Sequence, residues 1–292
     1  MTTKAHFLRQ IFSLFALVRV QNVLLLSVAF ILTAKYIFVP DESFSQLLSN
    51  INFDILLLAS AISIASGYII NSFYDYQKDM INRPDKTLIE HQLSLKKRLY
   101  LYFFLNFTAV ILAGFISWRA ALFFSVYIFL IWFYSHKIQR YAFVGNMFYA
   151  VLSIFPFFAI FLYFKKFDSF IFLHAIFLFL LLLLKDMIKT FINIKGDLAQ
   201  NHQTLPVKYG EQKAKLILLF FSFLLLVPIW FLNRHETLGM MRYYFIAFVL
   251  LYFTGLVYFI IRQDLKTYKQ FYLLIKILLV LGVFSIVLVN QY

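Results

Sequence analysis

Long apolar runs, many of about 18 residues or more, recur along this 292-residue chain with short polar stretches between them. Hydrocarbon offers no water to backbone N–H and C=O groups, and a helix satisfies both within itself. The runs therefore read as membrane-spanning helices. Nine spans emerge, at roughly 11–38, 53–74, 98–117, 120–136, 143–163, 169–190, 214–232, 240–261 and 271–290. The expected fold is all-α, a polytopic membrane helical bundle. No Pro/Gly/Ser-rich tract divides the chain, so 1–292 reads as a single domain. Apolar residues make up 63% and charged residues only 14%, far from the balance of a soluble domain. Cysteine is absent, which excludes disulfides, thiolate metal sites and thiol nucleophiles.

A formal charge of +14 raises the question of a nucleic-acid partner. The placement of the charge answers it. With the N-terminus cytoplasmic, the inner segments carry 19 Lys and Arg, starting with Lys4, and the outer segments carry 6. Arg19 and Lys276 fall within spans. That bias is the one expected of an integral membrane protein of a bacterial or archaeal cell membrane, N-terminus inside, and it needs no nucleic acid. The first run, from about Ile11 to Phe38, is too long for the apolar core of a secretory signal and lacks a small-residue cleavage site.

Polar residues at the edge of such spans are costly and tend to be functional. Asn71, Asp75 and Asp79 recur at i, i+4 and i+8 where the second span ends. Four residues advance a helix by about 400°, so the three oxygens stack on one slowly drifting face. Carboxylate and amide oxygens in a row suit Mg²⁺, which in turn holds phosphates. Arg83 and Lys86 follow one turn on, and Pro84 turns the chain. A similar group follows the sixth span: Asp186, Lys189, Asn193 and Asp197. Asn193 and Asp197 are again four apart, and Asp186 is seven before Asn193, on the same face. Gly196 marks a helix end or a close backbone approach. Both groups fall on the inner side, as two halves of one site would.

A third inner patch holds Tyr134, Lys137 and Arg140. Its bases fit either an anionic substrate or ordinary inner-side charge, and Tyr134 fits an interfacial belt unless the fold carries it over a pocket. In the first span Arg19 is placed to snorkel, and Asn22, deeper, to line a cavity. The six histidines show no metal-ligand spacing.

At these residues the chain resembles the UbiA superfamily of intramembrane prenyltransferases. Asn71, Asp75 and Asp79 match its N-x-x-x-D-x-x-x-D motif, and Asn82, Arg83 and Pro84 its N-R-P extension. Tyr134 through Asn146 resembles its Y-S-x-x-L-K-R-x-x-x-x-G-N region, and Arg19 and Asn22 its R-x-x-N. Lys189 and Asp197 match the second motif, K-x-x-x-D-x-x-x-D, with Asn193 in place of the first aspartate. The resemblance implies nine helices around a central cavity open to the cytoplasmic side. It also implies Mg²⁺-dependent transfer of a prenyl group from a prenyl diphosphate to a membrane-associated acceptor. Asn71, Asp75, Asp79, Asn193 and Asp197 would hold the metal, with Asp75, Asp79, Asp197 and Lys189 central to catalysis. Arg83, Lys137 and Lys189 would neutralise the diphosphate oxygens, and Arg140 would serve a phosphate on the acceptor; Asp186, on the face of Asn193, is expected to compensate for the charge missing there.

The stretch Gly196-Asp197, Thr204-Leu205-Pro206 and Gly210 resembles the branch acting on a geranylgeranylglyceryl phosphate-type lipid. Aromatic quinone precursors as acceptors, a terpene cyclase using the same ionisation, and a transporter are the alternative readings. The acids gather at one membrane face rather than at the midplane, which argues against the transporter.

Overall fold

The computed structural model describes residues 3–289, and only the backbone of 3–8. Lys4, counted on the inner side above, and Asn290, at the end of the expected ninth span, lie outside the described side chains and residues respectively. Among the described residues nine helices are long and apolar enough to cross a membrane. They are α1 (Val20–Phe38), α2 (Ile51–Tyr74), α3 (Leu95–Ile116), α4 (Trp118–His136), α5 (Val144–Phe164), α6 (Ser169–Ile192), α7 (Glu211–Leu232), α8 (Met241–Ile261) and α9 (Leu265–Leu288). The protein is an integral membrane helical bundle.

Several spans begin earlier than the apolar runs do, because the caps are polar. Asn50, Ser94, Ser117, Asp168 and Asp264 each accept a backbone N–H through the side chain at the start of α2, α3, α4, α6 and α9. A cap satisfies a donor that the helix leaves unpaired, so each helix starts at its cap and not at its first apolar residue.

The first expected span is two helices. Thr3–Leu17 ends before Arg19, which takes a left-handed backbone (φ 50°) and redirects the chain into α1. Ile11–Leu17 therefore does not belong to the membrane crossing. Phe12 and Phe15 are exposed while Ser13 and Leu17 are buried. Ser13 donates to the Glu90 carbonyl at 3.2 Å, which ties this helix to the segment that follows α2.

The inner segments expected as loops after α2 and α6 are largely helical. Short helices Tyr76–Asn82 and Pro84–Glu90 follow α2, and Ile194–Ala199 and Leu205–Tyr209 follow α6. The core is centred on α6, where Leu180 to Leu184, Met187, Ile188 and Phe191 are all buried. A helix apolar all round belongs inside a bundle. By contrast α3 exposes Phe103, Phe104, Phe107, Ile111 and Phe115, a lipid-facing side.

Candidate active site

Each acid-bearing segment bends at one of its own candidate residues. The helical backbone of α2 breaks at Asp75, and that of α6 at Asn193. The four-residue hydrogen-bond register survives both bends. Asp75 N–H donates to the Asn71 carbonyl at 2.9 Å and Asp79 N–H to the Asp75 carbonyl at 2.8 Å. Asp197 N–H donates to the Asn193 carbonyl at 3.0 Å. The stacking expected from spacing is thus kept across each break.

The two short helices meet at Gly196. Its N–H donates to Asn82 Oδ1 at 3.1 Å, and a Cβ in its place would lie 2.7 Å from the Lys78 carbonyl. This is the close backbone approach that only glycine permits.

At that contact Lys78 joins the halves. Its Nζ lies 2.9 Å from Asp75 Oδ1 and 3.8 Å from Asp197 Oδ1. All three side chains are buried. Asn71 Nδ2 donates to the other oxygen of Asp75 at 2.7 Å. Thr204 Oγ1 donates to Asp197 Oδ2 at 3.1 Å, and the His202 ring lies 3.9 Å from Oδ1. Asp79 pairs with Arg83 at 2.5 Å, and Arg83 also faces Glu90 at 4.0 Å.

A cavity opens beside this cluster, lined by Tyr134, Asn146, Asp186, Lys189, Asn193 and Asp197 among others. Tyr134, left between a membrane belt and a pocket by the sequence, faces the cavity. Asn146 Nδ2 donates to Asp186 Oδ2 at 2.9 Å. The Tyr134 ring packs against Tyr149, whose other neighbour is the Lys185 ammonium, 5.6 Å from its centroid. Asn22 donates to the Tyr68 hydroxyl at 3.2 Å, and the Arg19 guanidinium stands 5.0 Å over the same ring.

Lys137 and Arg140 are exposed, with no carboxylate partner among the described ion pairs. Arg140 offers its backbone instead, accepting from Gln203 N–H at 2.8 Å. That bond holds the segment after α4 against the one that carries Thr204.

Burial and the shared lysine split the two acids electrostatically. Burial pushes the Asp75 carboxyl up, but Lys78 and then Lys189 outweigh it and hold it at about 2. Burial also pushes Asp197 up, and with Lys78 farther away it prevails, leaving Asp197 at about 6. Burial disfavours the Lys78 ammonium, yet Asp75 and Asp197 more than restore it. Burial and Lys78 push His202 down to about 4, so it is neutral at pH 7.

Among the described residues no three His, Asp or Glu groups form a ready-made metal centre. The donors nevertheless fit one. Asp75 Oδ1 and Asp197 Oδ1 are buried and face each other across the lysine, whose ammonium is their shared neighbour. Buried carboxylate oxygens with free lone pairs suit a hard cation.

Lys78 and His202 are site neighbours that motif spacing passed over, while Asn82, Asn146 and Thr204 fall in matched motifs but carry no expected role. Lys78 had a signal, lying three residues after Asp75 on a helix, within side-chain reach. The partners of Asn82, Asn146 and His202 depend on long-range packing.

Residues 15–288 match the UbiA prenyltransferase family. Similar curated proteins are digeranylgeranylglyceryl phosphate synthases. That of Methanosphaera stadtmanae is 31% identical over 57% of this chain, a match that spans 61% of the relative's own length. That of Thermococcus gammatolerans is 29% identical over 79% of this chain and 83% of the relative. A solved structure of digeranylgeranylglyceryl phosphate synthase superposes with TM-score 0.70 at 17% identity, over 94% of this chain and 96% of the other. A UbiA homolog from Archaeoglobus fulgidus, bound to DMAPP and Mg²⁺, superposes with TM-score 0.68 at 14% identity, over 94% and 99%. With this fold, and with the family's sequence pattern running from the first span through the last, the chain belongs to the UbiA prenyltransferase family.

Proposed function

We propose that this chain transfers a prenyl group from a prenyl diphosphate to a glyceryl phosphate lipid of the geranylgeranylglyceryl phosphate type, within the cell membrane and with Mg²⁺. The observation that carries the reading is the joining of Asp75 and Asp197 through one buried ammonium at the mouth of an intramembrane cavity. Similarity to synthases of that lipid class favours the acceptor. Residues 1–292 act as one unit, since each half supplies part of the site, and the uneven loop charge supports a cytoplasmic N-terminus.

Asn71, Asp75, Asp79, Asn193 and Asp197 would hold the metal. Bound Mg²⁺ supplies positive charge against the oxygens of the departing diphosphate. Arg83 and Lys189 stand beside those acids and add fixed positive charge where negative charge grows as the allylic C–O bond breaks. Lys137 and Arg140, at the rim, meet phosphate as it arrives. The Tyr134 ring, which lines the cavity and packs against Tyr149, offers a negative face to the positive charge that develops at C1. The acceptor hydroxyl then forms the new C–O bond at C1, the diphosphate leaves with the bonding pair of the old one, and the hydroxyl proton passes to the departing diphosphate.

The test is product analysis. Purified protein, labelled geranylgeranyl or farnesyl diphosphate, Mg²⁺ and a panel of lipid and aromatic acceptors are examined by mass spectrometry. A prenyl ether on the glyceryl phosphate lipid is the expected product, lost in Asp75→Ala and Asp79→Ala. Turnover of an aromatic acceptor alone, or a cyclised product with no acceptor, would sink the reading.

A further inference from the structure

The site carries a cation of its own. Lys78 Nζ sits between Asp75 and Asp197, 2.9 Å from Oδ1 of the first and 3.8 Å from Oδ1 of the second. Its side chain is only 10% exposed, and the carboxylates only 4% and 3%. An ammonium buried this deeply is fixed in place by its partners, because leaving them would strand a charge in a poorly solvated region. The other acids are engaged elsewhere: Asp79 with Arg83, and Asp186 with Asn146. Across the site Asn193 contributes an amide where the motif has a carboxylate. An amide at 193 removes one negative charge, and an ammonium at 78 adds one positive charge. Together they shift the site by two units, the charge of one Mg²⁺. A metal bound to the same pair of oxygens would also need ligand distances near 2.1 Å, so it would place its charge within a few ångströms of Nζ.

We propose that Lys78 is a resident cation that replaces one metal ion, so that the chain binds its diphosphate with a single Mg²⁺. This rests on the reading of the site as a magnesium–diphosphate site. It leaves one metal among Asn71, Asp75, Asp79, Asn193 and Asp197, with the Lys78 ammonium supplying positive charge where a second would stand.

Counting metal ions tests this without turnover. The full chain in lipid nanodiscs is titrated with Mn²⁺ and geranylgeranyl thiodiphosphate, and bound Mn²⁺ is counted by electron paramagnetic resonance. The parent chain is expected to bind one Mn²⁺, and Lys78→Met/Asn193→Asp two, with spin–spin broadening from the adjacent pair. Asn193→Asp alone is expected to keep one, because the ammonium still stands there. Circular dichroism and a single elution peak establish folding. Two ions in the parent chain or in Asn193→Asp overturn the proposal while leaving the metal–diphosphate reading intact. One ion in the folded double variant also overturns it. No bound Mn²⁺ in the parent chain overturns both.

Discussion

Gly196 N–H donates to Asn82 Oδ1 at 3.1 Å, across 114 positions of sequence, and this contact is where the two acid-bearing segments touch. A Cβ at 196 would press on the Asn82 amide and lie 2.7 Å from the Lys78 carbonyl. Gly196→Ala is therefore expected to separate the segments, at a cost of about 1–3 kcal/mol by overpacking. Prenyl transfer should fall at least ~10-fold as Asp197 moves away from Asp75. Thermal unfolding and initial rates check both, and an unchanged rate would exclude the contact as a determinant of site geometry.

Asp197 gives metal binding a pH dependence. Burial raises its carboxyl to about 6, so the fold favours the protonated form. The stability from that protonation is fully present below the ordinary carboxylate value and is lost as pH rises through about 6. A metal that takes only the ionised form gains over the same window. Metal affinity should therefore fall as pH drops below about 6, by up to ~10-fold per unit, with a proton released on binding. Calorimetric titrations with Mn²⁺ in buffers of differing ionisation heat measure that proton. Asp197→Asn should flatten the profile, and a slope that persists in this variant would assign it elsewhere.

Asn146 donates to Asp186, and both are buried. Asn146→Leu leaves that carboxylate oxygen without its donor, at a cost of about 1–3 kcal/mol. Adding Asp186→Leu removes the stranded group and should recover part of the loss. A double-mutant cycle on melting temperature measures the coupling, and strictly additive effects would refute it. Asp186→Ala separately tests whether Asp186 compensates for Asn193, through weaker metal binding.

Mg²⁺ together with a prenyl diphosphate should raise the melting temperature, and a chelator should reverse the rise. At a free ligand concentration about 100 times Kd the gain is ~2.7 kcal/mol. No shift in the presence of both would count against a bound metal–diphosphate complex.

Much of this architecture is written in local patterns. Nine apolar runs specify nine spans, and their ends differ from expectation mainly where a polar cap such as Asp264 starts the helix ahead of the run. The break at Arg19 leaves no comparable mark, because Ile11–Leu17 is as apolar as the span it precedes. Spacing places Asn71, Asp75 and Asp79 on one face, and the structure retains their hydrogen-bonded register.

The membrane fold, the stacked acids and the uneven loop charge follow from the chain alone, since hydrocarbon, helical period and loop charge act over short stretches of sequence. Only the tertiary structure decides that Lys78 spans Asp75 and Asp197, that Asn146 holds Asp186, and that Tyr134 turns into the cavity. Those relationships join residues on different helices, and how two helices approach depends on small features such as Gly196, which no periodicity within either helix records.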